Sequence, residues 1–146
     1  MYIRLRNTIA EYPSQFWLMG IGLFISSAGA SMIWPFLMIY VSEELSLSLS
    51  TVSTLITINA IMGLFASFIA GAVSDKLGRK LVMVISLTVN GFGYLFMSQA
   101  HSYLGFAFVM VLMGASNPLY QVGSDAMLAD MIVPEKRTNA YAIIRM

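Results

Sequence analysis

Four apolar runs dominate the sequence, at about Phe16–Val41, Val52–Val73, Leu81–Met97 and Tyr103–Ala129. Only short polar links separate them. About 30 Å of hydrocarbon at 1.5 Å of rise per helical residue needs roughly 20 apolar residues, so each run is long enough to cross a bilayer. Inside lipid a backbone must satisfy its own hydrogen bonds, and nothing in the sequence has the strand alternation of a closed barrel. The expected fold class is therefore an all-α polytopic membrane protein. Composition agrees: 58% of the 146 residues are hydrophobic and 10% charged, against roughly a quarter charged in a soluble domain. That excludes both an ordinary water-soluble fold and a disordered chain.

The first run follows Arg4 and Arg6, and Ser27-Ala28-Gly29-Ala30 has the small residues of a signal cleavage site. The apolar stretch continues well past it, beyond the 7–15 residues of a signal peptide core. It reads as a span, and Pro35 predicts a kink in it.

All eight Lys and Arg residues fall on one side of this pattern. Arg4 and Arg6 precede the first run. Lys76, Arg79 and Lys80 lie between the second and third, and Lys136, Arg137 and Arg145 follow the fourth. The opposite links hold Glu43, Glu44 and His101. The excess of Lys and Arg on cytoplasmic loops places the N-terminus in the cytoplasm. From about Thr138 to Met146 the pattern predicts the start of a fifth helix, too short to span.

The link after the second run reads Gly71-Ala72-Val73-Ser74-Asp75-Lys76-Leu77-Gly78-Arg79-Lys80. Each residue type has a local reason. Gly71 lets helix backbones approach. Asp75 is expected to cap the following helix and meet its positive dipole end. Gly78 permits a tight turn. Arg79 at the membrane boundary needs a carboxylate partner, and Lys80 can snorkel to headgroups. A plain positive loop accounts for the Lys and Arg but not for the joint spacing of Gly71, Asp75, Gly78 and Arg79.

This link resembles the signature between helices two and three of the major facilitator superfamily, G-x-L-x-D-[RK]-x-G-R-[KR]. Gly71, Asp75, Gly78, Arg79 and Lys80 match, Lys76 is acceptable, and Val73 replaces the usual Leu. Asp130 through Arg137, continuing to Arg145, is similar to the family's linker between helices four and five. The resemblance covers the whole chain but about a third of a family member. It implies part of the N-terminal six-helix half of a two-half, twelve-helix fold. It implies an Asp130–Arg79 pair with Asp75 nearby, a cytoplasmic gate cluster that favours the outward-open state. It also implies alternating access around a central cavity lined by helices one and four.

On the first run, Ser27, Ser31 and Trp34 share a helical face. On the fourth, Asn117, Gln121 and either Ser124 or Asp125 do the same. Tight helix packing explains the two serines equally well. Pro118 leaves a carbonyl without its helical donor, which Asn117 could satisfy. Gly63, Ser67 and Gly71 form a small-residue stripe that reads as packing. Proton-coupled drug antiporters of the family place an Arg four residues before a fourth-helix Gly, whereas Met110 stands there before Gly114.

Cysteine is absent and the single His101 stands in an external link, so no metal centre, cofactor or nucleophile–base pair is expected. No basic surface points to nucleic acid. Expected partners are the bilayer, a small-molecule substrate and the remaining helices of a full transporter. The reading is a fragment of an efflux-type secondary transporter in a bacterial cytoplasmic membrane, and not an enzyme. The alternative is a stand-alone four-span protein, either a structural or assembly subunit or a small homo-oligomeric exporter. An incomplete fifth helix argues against both.

Overall fold

The computed structural model describes residues 12–144, and among these every regular element is helical. The helices are α1 (Ser14–Leu45), α2 (Leu49–Leu77), α3 (Arg79–Gln99), α4 (Tyr103–Met131) and α5 (Arg137–Ile144). A 3-10 turn, Pro134–Lys136, precedes α5. The first four are long and apolar enough to cross a membrane. Arg4, Arg6 and Arg145, used above to assign sidedness, lie outside the described residues.

The helices extend past the apolar runs because the links supply their own caps. After α1, Ser46 takes a positive φ of 52°, and the Ser42 hydroxyl donates to the Leu47 carbonyl at 2.7 Å. Ser48 then caps α2, accepting from the Thr51 N–H at 3.3 Å. Between α3 and α4, the Ser102 hydroxyl accepts from the Gly105 N–H at 3.2 Å. Proline at the first position of the 3-10 turn costs nothing, since that N–H has no helical partner.

Contacts divide the chain into two compact units. In one, residues 12–34 pack with 127–144. Its core holds Tyr12, Phe16 and Met19 against Leu128, Ile132 and Ala140. Tyr12 stacks on Phe16 with centroids 4.6 Å apart, and Trp17 meets Phe16 edge-on at 5.3 Å.

The other unit, Pro35–Ala126, buries Val41, Val52, Leu55, Val82, Phe106, Val109, Met110 and Met113. Two hydroxyls at membrane depth are met within their own helices: Ser67 donates to Gly63 at 2.8 Å and Thr88 to Val84 at 2.8 Å. Backbone carbonyls one turn back satisfy them, so they demand no outside partner. At one end of this unit His101 Nδ1 lies 2.8 Å from Glu44 Oε1, and Thr54 meets the Tyr103 hydroxyl. The sequence left His101 alone in its link; it ties the α3–α4 link to the end of α1.

Candidate functional site

At the other end of this unit, one residue separates α2 from α3. Gly78 ends α2 and begins α3, with φ 89° and ψ 133°. Its N–H donates to Ser74 and its carbonyl accepts from Val82, at 3.0 and 3.1 Å. A single residue therefore closes one helix and opens the next, in a backbone conformation that essentially only glycine adopts without strain.

This geometry revises two expectations. Asp75 lies within the last turn of α2 and is exposed, while the α3 N-terminus has no side-chain cap. Asp75 therefore does not cap α3, because α2 runs on through Leu77. Gly71, expected to admit a neighbouring backbone, is exposed, and a Cβ placed there meets nothing within 4 Å among the described residues. Of the small-residue stripe, Gly63 is close to another helix, at Gly114 and Pro118, whereas Ser67 is exposed.

Arg79 is half-buried in the first turn of α3, a position its charge disfavours because that end of a helix carries a partial positive charge. Its Nη1 donates to the Ala126 carbonyl at 3.3 Å, close to the C-terminal end of α4, where the dipole is negative. The approach is close because of Gly123: a Cβ there would sit 3.2 Å from the Arg79 carbonyl. Sequence reading missed Gly123. A lone glycine in an apolar helix has no partner marked in the local pattern. Lys80 is exposed beside it. A shallow groove of about 420 Å³ runs along Leu77, Gly78, Arg79, Lys80, Leu81 and Val84. Asp125, half-buried, adjoins Ala126, and Asp130 belongs to the other unit.

Of the cavity candidates, Ser27 and Ser31 are exposed on α1 and Trp34 is half-buried. The Ser31 hydroxyl donates to the Ser27 carbonyl at 2.8 Å. On α4, Asn117 and Gln121 are exposed. Ser124 is buried and donates to Gln121 at 3.0 Å. Of the two alternatives for the third position on this face, Ser124 is therefore turned into the packing.

Four apolar membrane-length helices joined by tight polar links define a multi-pass membrane protein. The sequence pattern of the Major Facilitator Superfamily matches residues 19–146, and the chain belongs to that family of transporters. It is similar to a Na(+), Li(+), K(+)/H(+) antiporter of Planococcus maritimus, 31% identical over 129 residues, covering 84% of this chain and 30% of that protein. It is also similar to the multidrug resistance protein MdtG of Proteus mirabilis (strain HI4320), 30% identical over 127 residues, covering 84% and 27%. Similarity to the bacillibactin exporter of Bacillus subtilis (strain 168) is 30% over 110 residues, covering 75% and 26%. The chain thus spans less than a third of the length of these relatives.

Proposed function

We propose that the chain supplies part of the N-terminal half of a secondary transporter that exports small amphipathic or drug-like compounds by alternating access. It would lie in a bacterial cytoplasmic membrane with its N-terminus inside. The observation that carries this reading is the single-glycine junction at Gly78, with Arg79 drawn onto the end of α4. It supports the family's cytoplasmic gate at the position its signature requires. The outward direction rests on the names of the relatives, two of which describe resistance or export.

In this reading Gly71, Asp75, Gly78, Arg79, Lys80 and Asp130 form the gate. Arg79 pairs with Asp130, and Asp75 meets the opposing half when the cytoplasmic side is closed. Ser27, Ser31, Trp34, Asn117, Gln121 and Asp125 line the substrate path.

A second reading, cation/proton exchange, is supported by the Planococcus relative and by Asp125, half-buried near the end of α4. One experiment separates them. In everted vesicles carrying the full transporter, the first reading expects energised uptake of an amphipathic dye. The second expects Na⁺- or K⁺-driven proton movement without dye uptake. Absence of both signals above empty vesicles, or ion-driven proton movement without dye uptake, would overturn the export reading.

A further inference from the structure

Asn59, a polar residue at membrane depth, reaches out of its own helix. Asn59 of α2 donates its amide to the Met110 carbonyl of α4 at 3.0 Å. In a regular helix that carbonyl already accepts from the N–H of residue 114. Residue 114 is glycine, and a Cβ there would collide with the Asn59 backbone, whose Cα would lie 3.1 Å away. One turn further along α2, a Cβ on Gly63 would lie 3.5 Å from the Gly114 carbonyl and 3.9 Å from Pro118 Cγ. The Gly114 carbonyl is the one that Pro118, having no N–H, leaves without a helical donor.

Along three successive turns of α4, then, α2 lies where the α4 ladder is altered: a shared acceptor at Met110, bare backbone at Gly114 and a missing donor at Pro118. A helix with a proline can bend, and what packs against it sets the result. Beyond this seam α4 presents Asn117 and Gln121, both exposed.

We propose that Asn59 is a positioning residue for transport. Its bond to Met110 fixes the register of α2 on α4, and through it the placement of Asn117 and Gln121 beside Pro118. This rests on the reading that these two residues face the exported molecule. Asn59 itself does not touch that molecule.

The test uses the full transporter carrying Asn59→Leu, which keeps the size and removes the donor. For an exported dye, KM rises about threefold to tenfold, the scale of one net hydrogen bond, while turnover per transporter in the membrane stays within about twofold. A second readout does not depend on transport. These 146 residues contain no cysteine, so Gln121→Cys, with cysteines elsewhere in the full chain removed, reports locally. Its labelling rate by a water-soluble maleimide changes by a similar factor on adding Asn59→Leu, and Asn59→Gln restores part of it. Should Asn59→Leu be lost from the membrane, Pro118→Ala, which returns a donor to the Gly114 carbonyl, alters the same labelling rate. Unchanged labelling in every variant that reaches the membrane overturns the proposal. A transporter that moves no dye, yet shows the labelling change, overturns the export reading and keeps the seam.

Discussion

Helices α1 and α4 look alike in sequence: both are long, apolar and interrupted by one proline. Their surroundings differ. In the most apolar stretch of α1, 6% of residues are buried, against 33% in α4. Along the middle of α1, Ile21, Phe24, Ile25, Met32 and Ile33 are all exposed. Among the described residues, a Cβ on Gly22 or Gly29 would meet nothing within 4 Å. On α4, Gly114 and Gly123 have the backbones of α2 and α3 against them, and Phe106, Val109, Met110 and Met113 are fully covered. Hydropathy measures what a residue avoids and not what it touches, so it assigns both helices to the membrane and cannot tell their roles apart.

Substitutions at equivalent residue types sharpen that contrast. The largest effect is expected at Gly114→Leu, where a side chain must displace the Asn59 backbone. Overpacking of this kind costs about 1–3 kcal/mol or more. Thermal unfolding of this 146-residue chain in detergent should show a clear loss, while Gly29→Leu on α1 should barely move its midpoint. A large effect at Gly29 would mean that α1 is packed after all.

Gly78→Ala comes next. A side chain at φ 89° is strained by about 1–3 kcal/mol, whereas Gly71→Ala, seven residues earlier in open space, should be neutral in the same assay. Equal effects at the two positions would remove the special status of the junction.

Ser74→Ala is smaller and of opposite sign. The Ser74 hydroxyl is buried without a hydrogen-bond partner among the described residues. Deleting it should leave stability unchanged or raise it by up to about 1 kcal/mol; a marked loss in chemical unfolding would show that the hydroxyl is used. Least of all is expected from Glu44→Gln, which weakens the exposed pair with His101. Such surface pairs contribute about 0–1 kcal/mol, so a large drop in the unfolding midpoint would show a stronger tie at that end.

The four helices were legible because their signal is local: length and apolar character suffice. Gly78 was legible because a turn demands it. Asp75 was misplaced by the same local logic. Acid before a helix suggests a cap, and only the continuation of α2 through Leu77 shows that the residue belongs to the helix before. The contacts of Asn59 with Met110, and of Gly123 with Arg79, were not legible. Their partners lie 51 and 44 residues away in sequence, and one glycine or asparagine in an apolar run carries no mark of its partner. Ser124 and Asp125 could not be separated by periodicity, since neighbouring residues lie 100° apart on a helix. Packing separates them, burying Ser124 while Asp125 stays half-buried.

The most direct test of the account is whether the Gly78 junction belongs to a gate. In the full transporter, with other cysteines removed, Ser31→Cys is labelled from outside with a membrane-impermeant maleimide, with and without Asp75→Asn. If Asp75 helps hold the cytoplasmic side closed, Asp75→Asn lowers outside labelling and raises inside labelling in everted vesicles. Labelling that is the same from both sides in the two proteins would contradict the gate.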